Sequence, residues 1–168
     1  MSVRPSILLT IDVEDWFQVE NLKPCIPQGA WSTCDLRVER NTHRLLDLMD
    51  SVELAPDDPV NGTGSRRPKA TFFVLAWIAD RLPGLVREIR ARGHEIGSHG
   101  CSHRLCSVQS PEELWEDLTR SRRTLEDISG DRVSGFRAPS FSVNERVLEQ
   151  IREAGYRYDS SYNSFGLH

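Results

Sequence analysis

Short apolar runs alternate along this chain with amphipathic helical stretches, and that alternation limits the fold more than any other feature. Ile7-Leu8-Leu9-Thr10-Ile11 is a continuous apolar run, as a strand buried on both faces requires. Ala70-Thr71-Phe72-Phe73-Val74 is a second, rich in aromatic and β-branched residues. Glu95 to Gly97, Val133 to Phe136 and a run opening at Tyr156 supply three more strand candidates. Between them lie helical patterns. Val38 to Met49 carries apolar residues at 38, 45, 46, 48 and 49. Pro83 suits the first turn of a helix that ends before Gly93 and presents Leu85, Val86 and Ile89 on one face. Ser110-Pro111-Glu112-Glu113 is a capping box, and behind it Leu114, Leu118, Ser121, Leu125 and Ile128 repeat up to a stop at Gly130. Ser142-Val143-Asn144-Glu145 reads as a second box, opening a helix with Val147, Leu148 and Ile151 that stops at Gly155. Strand and helix taking turns in this way imply an α/β fold with a parallel sheet and helical crossovers. At 168 residues the chain suits one domain over 1–168, and it is short of the ~250 of a complete eight-unit β/α barrel.

Charge and composition remove whole classes. With 21 basic and 25 acidic residues the net charge is −4, which argues against nucleic acid as a partner. Hydrophobic residues at 38% and charged residues at 27% exclude a disordered or fibrous chain. No apolar run reaches the ~20 residues of a membrane span. The residues from Met1 lead into a five-residue apolar run and then charge, which is too short and too badly flanked for a signal peptide, so a cytoplasmic location is expected. Cys25, Cys34, Cys101 and Cys106 have spacings foreign to zinc ribbons and read as reduced thiols. Residues 18–35 and 53–69 read as loops, the second an exposed insertion rich in Pro, Gly, Asp and Asn. No sequence feature sets the oligomeric state.

The residues able to do chemistry gather after the strands. Asp12, Glu14 and Asp15 follow the first, His99 and His103 the third, Arg137 the fourth and Asp159 the fifth. In parallel α/β folds that edge is where active sites are built. His99-Gly100-Cys101-Ser102-His103 is an H-x3-H pair whose imidazoles would share a face on a helical turn. Alone such a pair is more often structural, but two histidines with a carboxylate form a familiar catalytic zinc set. His94, ahead of its strand, reads as structural. Three carboxylates in four positions exceed what helix capping needs, so one can ligate while another stays free as a base. Arg137 on the same edge can pair with a carboxylate and fix its orientation. Trp16 and Phe17 suit core or groove wall.

Taken in order, these segments resemble the polysaccharide deacetylase family, also called the NodB-homology or carbohydrate esterase family 4 domain. Thr10-Ile11-Asp12-Val13-Glu14-Asp15 resembles its first motif, which supplies a base and a metal-binding carboxylate. Ser98-His99-Gly100-Cys101-Ser102-His103 resembles the second, whose histidines bind the metal. Gly135-Phe136-Arg137-Ala138-Pro139-Ser140-Phe141 and Tyr158-Asp159-Ser160-Ser161 resemble the third and fourth, the two groove walls. The Asp-Val-Glu-Asp-Trp form resembles members from bacterial exopolysaccharide clusters. The resemblance implies a distorted, incomplete (β/α) barrel and hydrolysis of N-acetyl groups on an amino-sugar polysaccharide, with release of acetate. It implies a divalent metal, Zn²⁺ or similar, on His99, His103 and Glu14, with Asp15 the alternative to Glu14. It also implies Asp12 as base, Arg137 as its orienting partner, and Pro139, Phe141, Asp159 and Trp16 along the substrate groove. The family's Leu-x-His acid motif belongs well after Asp159, and Gly166-Leu167-His168 comes too early for it, so a domain without its C-terminal part is expected. Two other readings stay open: a weak or inactive domain that still binds metal or sugar, and a metal-independent amidohydrolase acting on a small amide.

Overall fold

The computed structural model describes residues 7–54 and 67–162. Most of the expected 53–69 loop lies outside the described residues, as do residues 1–6 and the Gly166-Leu167-His168 ending. Five strands, β1 (Leu9–Val13), β2 (Ala70–Val74), β3 (Glu95–Ser98), β4 (Gly135–Phe136) and β5 (Tyr158–Asp159), form one sheet in the order β1-β2-β3-β4-β5. Every neighbouring pair is parallel. Among the described residues the sheet does not close on itself. The helices are α1 (Val38–Ser51), α2 (Ala76–Arg81), α3 (Pro83–Ala91), α4 (Pro111–Ser129) and α5 (Glu145–Glu153). None of them is long and apolar enough to cross a membrane.

Several boundaries differ from what the pattern suggests, each for a physical reason. The apolar run at 7–11 points to a strand there, yet β1 starts at Leu9 and runs to Val13, leaving Ile7 and Leu8 exposed. Its limits follow its partner: Leu9 pairs with Ala70 and Val13 with Val74. Asp12 therefore lies inside the strand rather than after it. Ser142 does not open α5. Its hydroxyl donates to the Pro139 carbonyl (2.8 Å) and accepts from the Cys106 N–H (2.9 Å), while Asn144 caps the helix through the Val147 N–H (3.0 Å). The box at Ser110 is formed, with Ser110 Oγ accepting from the Glu113 N–H and Glu113 Oε2 from the Ser110 N–H. Residues 18–35 are built around short 3₁₀ turns, and all four cysteines are free.

One face of the sheet is covered by the helices. Phe72, Val74, Ile96 and Phe136 pack there with Leu46, Ile78, Val86, Leu118 and Val147, all buried. Side chains of this size contribute roughly 1.5–3 kcal/mol each on burial. The opposite face carries the site's supports. Phe73 lies there, fully buried, with its ring across β3. A Cβ on Gly97 would stand 2.5 Å from the Phe73 ring, so this strand position must stay bare. Gly97→Ala is expected to cost ~1–3 kcal/mol in urea denaturation, the usual price of overpacking. Gly29→Ala, where nothing lies within 4 Å of the added carbon, serves as its control and should stay within about 0.5 kcal/mol.

Candidate active site

The sheet's parallel register brings together residues far apart in sequence. β1 delivers Asp12 and, just past its end, Glu14. The His99 N–H donates to the Val74 carbonyl (3.0 Å), so His99 extends the β3 ladder by one step. The chain then reverses through Gly100 (φ +77°) and reaches His103, itself at φ +52°. The histidines thus do not share a helical turn, as their spacing suggests. A loop with two left-handed residues brings them face to edge, with ring centroids 5.4 Å apart.

Glu14, His99 and His103 each offer one donor atom, and the three lie within 4.8 Å of one another. Glu14 Oε2 stands 2.9 Å from His103 Nε2 and 3.9 Å from His99 Nε2. Both histidines are buried. His99 Nδ1 lies 2.7 Å from the Arg137 carbonyl, which can only accept, so Nδ1 carries the proton and Nε2 turns its lone pair to the cluster. Burial pulls the His99 pKa down despite the raising effect of Asp12 and Glu14, favouring the neutral form that ligates metals. Burial pushes the Glu14 carboxyl up, but the hydrogen bond and charge of His103 and the charge of His99 outweigh it and hold the carboxyl below its ordinary value. Two imidazole nitrogens and a carboxylate converging in a buried place fit a divalent cation.

Asp15 is employed elsewhere. Its Oδ1 accepts from the Trp16 N–H (2.9 Å) and its Oδ2 from the N–H groups of Arg37 (2.7 Å) and Val38 (2.9 Å). It caps a 3₁₀ turn and the start of α1, where a carboxylate suits the unpaired N–H groups. The geometry therefore gathers Glu14, not Asp15, with the histidines.

Asp12 is held by Arg137. Arg137 Nη1 donates to Asp12 Oδ1 (2.8 Å), Nη2 to Thr10 Oγ1 (2.9 Å) and Ser160 Oγ (2.7 Å), and Nε to the Ser160 carbonyl (3.2 Å). The guanidinium sits over the Phe73 ring at 4.4 Å. It is nearly buried, and its fork geometry fixes the carboxylate in one orientation.

A cavity of about 220 Å³ opens onto Asp12, Glu14, His99 and His103. Phe141 lines it, half exposed. The other groove candidates do not reach it. Pro139 is buried, Asp159 accepts from the Ser161 N–H and hydroxyl, and Trp16 lies against Arg37 with its indole N–H on the Asp35 carbonyl. Instead the structure adds Ser140 and a segment with no sequence signal, Val19, Glu20 and Asn21. Ser140 and Phe141 both adopt positive φ (+50° and +55°), a strained turn of the kind that gathers at functional sites.

Comparison with known proteins identifies the family. Residues 65–158, more than half of the chain, match the family model described as polysaccharide deacetylase. A peptidoglycan-N-acetylglucosamine deacetylase of Bacillus cereus is 33% identical over 91 residues, covering 54% of this chain and 42% of that protein. A peptidoglycan deacetylase-like protein of Gibberella zeae is 27% identical over 162 residues, 94% of this chain and 44% of that protein. Among solved structures, a pseudoenzyme of carbohydrate esterase family 4 from Bacillus anthracis superimposes with a TM-score of 0.64 at 18% identity, over 90% of this chain and 41% of that one. That last likeness is one of fold alone. The chain spans less than half the length of each of these three. With the ordered motifs, the parallel sheet and the match over 65–158 in place, the chain belongs to the polysaccharide deacetylase family.

Proposed function

We propose that this chain hydrolyses the N-acetyl groups of an amino-sugar polysaccharide, with a divalent metal held by Glu14, His99 and His103. The observation that carries the reading is the convergence of those three donor atoms within 4.8 Å beside a carboxylate, Asp12, locked by Arg137. When bound, such an ion polarises the acyl carbonyl and lowers the pKa of water toward ~7. The chain's own residues do the rest. Asp12 accepts a proton from the attacking water at its carboxylate. Arg137 keeps that carboxylate aimed, since any rotation would break a 2.8 Å bond. His99, through Nδ1–H on the Arg137 carbonyl, ties the ligand set to the same residue that orients the base. Phe141 offers an aromatic face at the cavity mouth, suited to the apolar side of a sugar ring.

The test is acetate release from acetylated chito-oligosaccharides and from peptidoglycan, with and without a chelator. Release that stops with the chelator and returns with Zn²⁺ or Co²⁺ is expected. Release indifferent to the chelator would favour the metal-independent amidohydrolase instead. Metal binding without any release would favour a binding domain.

A further inference from the structure

Asp117, on α4, takes no part in the site described above, yet its carboxylate reaches the loop that carries the two histidines. Asp117 Oδ1 accepts from the Cys101 N–H at 3.0 Å, and the Cys101 thiol donates to the Asp117 carbonyl at 3.4 Å. Cys101 sits midway between His99 and His103, in the reversal that turns one imidazole toward the other. The other hydrogen bonds to this loop's backbone come from backbone groups or from within the same segment. The Ala76 and Trp77 N–H groups at the start of α2 donate to the Gly100 and Cys101 carbonyls (2.9 and 3.0 Å), and the Gly100 N–H donates to Ser98 Oγ (3.2 Å). Asp117 thus brings a side-chain acceptor from a separate element to the apex of the loop. The fit is close. A Cβ on Gly100 would stand 2.8 Å from Asp117 Oδ1, and Gly100 holds φ +77°, so the loop is shaped around this carboxylate. Burial pushes the Asp117 carboxyl up to about 6, so it is kept in this place against its own desolvation.

We infer that Asp117 is a positioning residue for the metal ligands, acting through the Cys101 peptide to fix where His103 stands relative to His99. The inference rests on the metal-site reading given above. Its chemistry asks only for an acceptor at Oδ1. An amide oxygen can replace the carboxylate there, whereas a methyl or isobutyl group cannot. Partners that orient ligands from behind typically change metal affinity 10–100-fold when removed.

The experiment titrates the full chain with Zn²⁺ against a chelating indicator and records the visible absorption of the Co²⁺-loaded protein. Asp117→Asn should bind within ~3-fold of wild type with an unchanged Co²⁺ spectrum, because the Cys101 N–H keeps its acceptor. Asp117→Ala and Asp117→Leu should bind ~10–100-fold more weakly, with a shifted spectrum. Leu125→Ala, also on α4 but in the core, should lower the melting temperature and leave affinity and spectrum as they were. Wild-type affinity and spectrum in Asp117→Ala or Asp117→Leu overturn the positioning role. So does an Asp117→Asn protein that folds but binds ~10-fold or more weakly than wild type, and this keeps the test decisive if the Ala and Leu variants do not fold. A wild type that binds neither Zn²⁺ nor Co²⁺ overturns the metal site itself, and with it this role.

Discussion

The double substitution His99→Ala/His103→Ala should abolish metal retention. Wild type is expected to keep about one divalent ion per chain through gel filtration, the load of a single three-ligand site, and the double variant none. The reason is ligand count. Glu14 alone leaves a single carboxylate, and one donor cannot replace the convergent set of three. Stability reports the same loss. At a free metal concentration 100 times Kd, binding to the folded state contributes ~2.7 kcal/mol. For a domain of this size that corresponds to ~5–10 °C in melting temperature, present in wild type and absent in the variant. Equal, negligible metal in both proteins by elemental analysis, with no thermal shift in either, would show that the cluster is only a buried hydrogen-bonded group.

Asp12→Asn should separate chemistry from metal binding. The amide oxygen can still accept from Arg137 Nη1, so the local structure is kept, but the group can no longer take a proton. Acetate release is expected to fall ~10²–10⁴-fold, the range of a general base, while metal content stays at the wild-type level. Glu14→Gln should do the reverse and strip the metal, because its Oε2 stands nearest the histidine nitrogens. An Asp12→Asn protein that loses its metal as thoroughly as Glu14→Gln would move Asp12 into the ligand set and leave the reaction without an assigned base.

The sheet was legible because buried parallel strands are short and apolar, and helices announce themselves by period and caps. The strand ends were less so. β4 and β5 are two residues each, and their limits are set by what the neighbouring strand offers, which no local pattern records. Asp12 and the histidine pair stood out by type and placement. The loop geometry of His99 and His103 did not, because left-handed φ at a histidine has no sequence mark. The ambiguity between Glu14 and Asp15 had a signal within reach. Asp15 and Gln18 are spaced as a capping box, which the structure forms, and an acid spent on capping is unavailable as a ligand. Val19, Glu20 and Asn21 lie in a stretch without period, so only the folded chain brings them to the cavity.

The guanidinium of Arg137 clasps β1 through Thr10 and Asp12, and the segment after β5 through Ser160. Its partners on β1 are 127 and 125 residues away along the chain. Contacts that close loops of this length form late, after shorter-range structure has repaid their entropy. The ligand loop between His99 and His103 is by contrast local, and held by α2 and α4. The expected order of assembly therefore shapes the histidine loop before Arg137 closes on Asp12. The same order runs backwards under stress. Fraying of the two-residue β5 is expected to release Ser160 and loosen the grip on Asp12.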